Sequence, residues 1–248
     1  MTPTRLTLTI DTPDGAMPAH LWLPEGGSGP GVLLLQEIFG VSSYIERRAQ
    51  DLADEGYVVL APEIFWRLGV SRVEEGPDAL EEAFGLLQRT DWPAAVADGV
   101  LALAALRARD EVHGGVGIVG FCFGGGLGFN VAARAPADAL VSYYGSALPE
   151  LLGIEPFDPS EVTLAVIEPG EVSAPSLHHW GLADTFVSQP VVEQICVLLR
   201  TQPHVTVETY EGGGHAFDND DFMFYDAALA DLAWQRTLAF LAEQLPRR

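Results

Sequence analysis

Cys122 is the residue of this 248-residue chain best placed to act as a nucleophile. It lies in Gly120-Phe121-Cys122-Phe123-Gly124-Gly125-Gly126, after the apolar run at residues 116–119 and before a Gly-rich segment of helical character at 123–134. That is the G-x-C-x-G form of a nucleophile elbow, with a thiol in place of the usual hydroxyl. A side chain raised on a sharp strand-to-helix turn needs a strained backbone and bare neighbours two residues away on either side, which Gly120 and Gly124 provide. A thiol at a helix amino terminus also meets a dipole and free N–H groups that favour a thiolate and an oxyanion. The plainer alternative is a structural cysteine in a glycine-rich helix start, because so short a pattern recurs by accident.

A thiol nucleophile needs a base, and His215 follows the alternating run at 205–210 in Glu211-Gly212-Gly213-Gly214-His215-Ala216-Phe217. Such a loop holds an imidazole at the edge of a sheet rather than in the core. The other five histidines, His20, His113, His178, His179 and His204, lack this setting. Adjacent His178 and His179 point to opposite faces of a strand and do not readily share an ion, so no metal site is expected. Asp184, in Gly181-Leu182-Ala183-Asp184, comes just after the run at 176–180 and can accept the imidazole N–H. Singly, a turn histidine and a capping aspartate are commonplace. In order, Cys122, Asp184 and His215 reproduce the nucleophile, acid, histidine sequence of α/β-hydrolases, each beyond a strand. The acid remains open between Asp184 and a neighbour in 218–221, because loop geometry decides it. Glu37 ends the apolar run in Leu35-Gln36-Glu37-Ile38-Phe39-Gly40, where a carboxylate leaving a buried strand is costly without a partner, and a place beside the thiol is expected.

Strands alternating with helices must position these groups. Short strands are predicted at 6–10, 19–23 and 31–36, the first two separated by Gly, Pro and Asp as in an antiparallel lead-in. Continuous Val32-Leu33-Leu34-Leu35 reads as a strand buried on both faces. A helix capped by Ser42 or Ser43 runs to about Asp54, and a strand follows at 57–60. Residues 77–109 read as helical, with a break at 90–93 where Asp91 caps and Pro93 lies in the first turn. Strands at 116–119, 140–144, 176–180 and 205–210 alternate with helices at 123–134, 188–200 and 224–245. The stretch 147–174 is irregular, with one short strand expected at 163–167, and is long enough to carry function. The expected fold is α/β, a mainly parallel sheet covered on both faces in a single domain over 1–248, with its site at the carboxyl ends of strands.

Composition narrows the function classes. Thirteen basic against 35 acidic residues give a net charge of −22, a field that repels phosphate backbones and anionic lipid surfaces. Neither nucleic acid nor a membrane is an expected partner. All 13 basic residues are Arg, so Schiff-base and P-loop lysine chemistry is excluded. Two cysteines, no basic-apolar leader and no apolar run of about 18 residues suit a reduced, cytoplasmic, soluble chain.

The segments 36–41, Gly56-Tyr57 through Ala61-Pro62, 120–125, Tyr143-Tyr144-Gly145, 181–184 and 214–217 together resemble the dienelactone hydrolase (carboxymethylenebutenolidase) family of the α/β-hydrolase fold, over nearly the whole chain. The resemblance implies Cys122 as nucleophile, His215 as base and then acid, and Asp184 as its orienter. It also implies an oxyanion hole from the backbone N–H groups of Ile38 and Phe123, and a Glu37 that helps deprotonate a resting thiol when substrate binds. No metal or organic cofactor is implied. Two departures bear on substrate. The family holds a substrate carboxylate with arginines, one of them four residues after the histidine, where this chain has Asn219, and the other near Glu81 and Glu82. Arg67, Arg72 and Arg89 are distant substitutes, and the acidic loop 218–221 is expected to repel an anion.

The expected function is therefore cysteine-dependent hydrolysis of a small, neutral ester or lactone by a monomer or small homo-oligomer. The alternative is a non-catalytic α/β-hydrolase-like protein that binds a small ligand or partner in the same pocket. Three reactive groups at three separate strand ends favour catalysis, since binding alone does not require them.

Overall fold

The apolar runs assemble edge to edge. The computed structural model describes residues 4–74, 76–156 and 164–247. Its strands are β1 (Thr4–Thr12), β2 (Gly15–Leu23), β3 (Gly29–Leu35), β4 (Val58–Pro62), β5 (Val112–Phe121), β6 (Ala139–Tyr143), β7 (Ser176–Gly181) and β8 (Val205–Tyr210). They form one eight-stranded sheet in the order β1-β2-β4-β3-β5-β6-β7-β8. β1 pairs antiparallel with β2 and β2 with β4, as the turn-rich opening suggests, and every later pairing is parallel. Val32, Leu33, Leu34 and Leu35 are all fully buried, which requires cover on both faces of the sheet. This is the α/β-hydrolase architecture, an α/β fold with a mainly parallel sheet.

The covering helices are α1 (Ser43–Asp54), α2 (Ala79–Arg89), α3 (Trp92–Arg107), α4 (Phe123–Arg134), α5 (Leu148–Leu151), α6 (Gln189–Leu199) and α7 (Ala227–Gln244). Their starts follow local chemistry. Asp91 accepts from the Ala94 N–H at 3.0 Å to open α3, and Asp226 accepts from Ala228 and Leu229, both at 3.0 Å, to open α7. That cap is why α7 begins at Ala227 and not at the expected 224. The expected strand at 163–167 is also corrected. Thr163 lies outside the described residues, and 164–167 is not strand. There the Leu164 N–H donates to the Glu150 carboxylate at 2.6 Å and the Ile167 N–H to the Leu151 carbonyl at 2.7 Å, so α5 takes donors that a ladder would have used.

β3 is flanked by β4 on one side and β5 on the other, so the chain reverses its direction of progress across the sheet at this point. Such a switch opens a crevice beyond the carboxyl ends of the strands. Leu35 at the end of β3 pairs with Gly120 near the end of β5, which brings Glu37 and Cys122 to the same crevice.

The far half of the sheet is pinned by buried polar groups. The Tyr143 and Thr237 hydroxyls lie 2.6 Å apart, and His179 reaches Thr237 through Nε2 at 3.0 Å and the Tyr210 hydroxyl through Nδ1 at 2.7 Å. His178 instead meets Ser176 at 3.1 Å, and burial holds both imidazoles well below the ordinary histidine range, hence neutral. Thr237→Val keeps the shape but strands a buried partner, and is expected to cost about 2 kcal/mol of unfolding free energy. A urea titration should show a lower midpoint at unchanged slope; an unmoved midpoint would refute the network's role.

Candidate active site

The site starts from a backbone turn. Cys122 has φ 51° and ψ −112°, a conformation that side-chain-bearing residues avoid at a cost of about 1–3 kcal/mol. Its own N–H donates to the Tyr143 carbonyl at 3.0 Å, and its carbonyl accepts from Gly125, Gly126 and Ser146. The flanking glycines are required by contact. A Cβ at Gly120 would stand 2.1 Å from the Gly124 oxygen, and one at Gly124 would stand 2.3 Å from the Leu35 oxygen, so α4 rests directly on the end of β3. Among the described residues, the non-glycine positions with positive φ are Cys122, Tyr144 and Ala216, all at this crevice. The Phe123 N–H lies in the first turn of α4, where donors lack an acceptor inside the helix. Ile38 lies in the turn after β3 that the Gly40 N–H to Glu37 carbonyl bond closes at 3.3 Å.

Loops from β7 and β8 bring the imidazole to the sulfur. The Ala183 N–H donates to the Gly213 carbonyl at 2.8 Å and the Leu182 N–H to the Tyr210 carbonyl at 2.9 Å, lacing the two loops together. His215 then places Nε2 3.1 Å from Cys122 Sγ and Nδ1 2.7 Å from Asp184 Oδ2. The other oxygen of Asp184 accepts from the Phe186 and Val187 N–H groups at 2.7 and 3.0 Å, which fixes the carboxylate. The rings of Tyr144 and Phe186 pack on His215 at centroid distances of 5.2 and 4.9 Å. Burial alone would lower the imidazole pKa, but the Cys122 sulfur and the Asp184 carboxylate outweigh it and raise the value to about 10. The group that meets His215 is thus Asp184.

The neighbouring acids are engaged elsewhere. Asp218 is fully buried, accepts from the Tyr44 hydroxyl at 2.5 Å and from Arg48 at 2.8 Å. Asp220 and Asp221 both pair with Arg47. The three carboxylates of this acidic loop thus close on two arginines of α1, Arg47 and Arg48. Arg67 pairs with Asp14 and Asp98, Arg72 with Glu74, and Arg89 donates to the Gly85 carbonyl, which leaves none of the three at the thiol.

Glu37 is 1% exposed, and its Oε2 accepts from Asn219 Nδ2 at 2.8 Å. Burial raises its pKa, and although His215 and Asn219 lower it again, it stands at about 7. Glu37, Cys122 and His215 share a pocket of about 150 Å³ with Leu80, Phe84 and Phe186. Glu155 and Pro156, from the irregular stretch, complete one wall. Among the described lining residues, none is Lys or Arg. Reading the sequence did not find Phe84 and Phe186, because aromatic residues in a helix and a loop carry no signal of their place. It noticed Asn219 only as a missing arginine, although its spacing after His215 was the available clue. Among the described residues no group of three His, Cys, Asp or Glu could hold a metal ion, and no helix is long and apolar enough to cross a membrane.

A mainly parallel sheet with thiol, carboxylate and imidazole beyond the ends of β5, β7 and β8 is the arrangement of an α/β-hydrolase. The sequence profile of the dienelactone hydrolase family matches residues 17–245. A carboxymethylenebutenolidase of Pseudomonas putida is 33% identical over 238 residues, 95% of each chain, and that of Pseudomonas sp. strain P51 is 32% identical over 96% of this chain and 95% of its own. A solved structure described as a putative dienelactone hydrolase from Klebsiella pneumoniae superposes with a TM-score of 0.80 at 27% identity, covering 98% of this chain and all of that one, 100%. The chain belongs to the dienelactone hydrolase family, and is a hydrolase of small molecules.

Cys196 is also buried, on α6, where burial raises its thiol pKa. Limiting iodoacetamide is expected to label Cys122, which opens on a pocket beside an imidazolium, at least about tenfold faster than Cys196. Peptide mapping by mass spectrometry would show it, and equal slow labelling of both would contradict the geometry.

Proposed function

We propose that this protein hydrolyses small, uncharged carboxylic esters or lactones through a Cys122-His215-Asp184 triad and an acyl-enzyme. The observation that carries the reading is a single imidazole, His215, bridging Cys122 Sγ at 3.1 Å and Asp184 Oδ2 at 2.7 Å. The raised pKa of His215, which the Cys122 sulfur and the Asp184 carboxylate cause, supports an imidazole that holds a proton between them. The sulfur adds to the substrate carbonyl, and the N–H groups of Ile38 and Phe123 receive the oxyanion. Collapse breaks the C–O bond, and the leaving alkoxide takes the proton from Nε2. Water then gives a proton to Nε2 as its oxygen adds to the thioester carbonyl, and the sulfur leaves as the acid is released. Asp184 keeps Nδ1 protonated and stabilises the imidazolium throughout.

The pocket supports a neutral, apolar acyl group. Its described lining offers aromatic and aliphatic surface and two acidic side chains, Glu37 and Glu155, with neither Lys nor Arg for a carboxylate. The arginine-for-Asn219 difference points the same way. A free thiol nucleophile suits a reducing compartment, which supports a cytoplasmic setting.

The test is turnover of p-nitrophenyl acetate and butyrate, a neutral lactone and a dienelactone by wild type and variants. Cys122→Ala is expected to lose about 10³-fold or more, and Asp184→Asn about 10²–10⁴-fold, in kcat. Neutral substrates are expected to exceed the anionic dienelactone by about tenfold or more in kcat/KM, equivalent to ~1.4 kcal/mol of transition-state binding. Folded wild-type protein that turns over none of the panel, or Cys122→Ala that retains activity, sinks the proposal. A preference for the dienelactone would overturn the charge argument alone.

A further inference from the structure

A carboxylate in a dry pocket stays charged only when a cation or several N–H donors face it. Glu37 has one such donor, Asn219 Nδ2 on Oε2, while Oε1 is buried without a partner. The titratable groups that face Glu37 are His215, Asp218 and Asp221 beyond β8, Tyr44 on α1, and Tyr144 after β6. Arg48 and Arg47 reach this side of the molecule, but Asp218 takes the first and Asp220 with Asp221 the second. Among the described residues no arginine pairs with Glu37. The nearest cation is His215, whose charge is already shared between the Cys122 sulfur and Asp184.

We propose that burial with no facing arginine keeps Glu37 an uncharged acid, and that Asn219 is a positioning residue whose N–H on Oε2 leaves the proton on Oε1, so that Glu37 offers a hydrogen bond to bound substrate instead of taking the proton of Cys122. The inference rests on Cys122 being the nucleophile. Two features of the geometry carry it. An amide N–H satisfies the carbonyl oxygen of a carboxylic acid without demanding a negative charge, as a guanidinium at the same place would. The thiol proton also has an acceptor already, since His215 lies in contact with the sulfur and is backed by Asp184. Oε1 is then a buried donor with nothing to bond in the free protein, and a substrate oxygen entering the pocket supplies the acceptor. Once ionised, Glu37 would instead place a negative charge one residue from the Ile38 N–H, where the oxyanion forms, and would oppose it.

The test compares wild type, Glu37→Gln and Asn219→Ala between about pH 5.5 and 9, reading kcat/KM on a neutral ester, the rate of Cys122 alkylation, and the infrared band of protonated carboxyl groups. In wild type, kcat/KM is expected to fall several-fold as pH rises, with a midpoint near the Glu37 value of about 7. In Glu37→Gln that fall disappears, and with it one protonated-carboxyl band that titrates over the same range. Asn219→Ala removes an interaction that lowers the Glu37 pKa, so the midpoint moves to higher pH. A loss of about 100-fold or more at every pH in Glu37→Gln, with a wild-type melting curve and slowed alkylation, would make Glu37 a base and overturn the proposal. So would a wild-type band that has vanished by pH 5.5. The infrared and alkylation readings do not depend on which ester is turned over, so failure here is separable from failure of the esterase reading.

Discussion

The backbone at Cys122 sets the terms for the rest of the site. A residue with a side chain held at φ 51° is unfavourable in isolation, and the surroundings over-determine it. The Cys122 N–H is tied to β6 and its carbonyl to α4 and to Ser146, so the turn cannot relax without breaking bonds to two elements and a loop. The close seat of α4 on the end of β3 admits no Cβ at Gly124, and the first turn of α4 admits none at Gly120. Because β3 and β5 are parallel neighbours at the point where the strand order reverses, this forced turn opens into the crevice that the sheet already provides.

Charge is managed around that turn by pairing rather than by exclusion. A chain of net charge −22 has few cations to spend, and the structure commits Arg47 and Arg48 of α1 to the three acids of the loop after His215. That commitment secures the loop bearing the imidazole, and it also leaves the described lining of the pocket without an arginine. Glu37, Asn219, Asp218, Tyr44 and Arg48 thereby form a graded series from neutral to fully ionic within one buried region. The Glu37 end of it, satisfied by an amide, touches the pocket; the ionic end, at Arg48, packs against the ring of Trp234 on α7 at 4.5 Å. The same economy explains how specificity and electrostatics are linked, since the residue that would anchor an anion is the one that would ionise Glu37.

Much of this was legible in the residues. Apolar periodicity located every strand of the sheet to within a few residues, and Ser42 and Asp91 marked helix starts, because those signals act on neighbouring backbone. Where the reading failed, a group outside the apolar pattern had taken the backbone donors. The stretch at 164–167 looked extended, but Glu150 and Leu151 take its N–H groups. Residues 224–226 fit the helical pattern, but the Asp226 cap delays the helix.

What the sequence determined by itself was the order of the thiol, carboxylate and imidazole along the chain and the alternation of elements that carries them to strand ends. Local physics suffices for this, since a G-x-C-x-G turn, a glycine-rich loop and a buried apolar strand are each specified by their own residues. Only the tertiary structure decided that Asp184, and not a residue of the 218–221 loop, meets His215, and that Asn219 meets Glu37. Those contacts join residues 31 and 182 positions apart, and hydrogen bonds of 2.7 and 2.8 Å depend on where separate loops come to rest on the sheet, which no local pattern specifies.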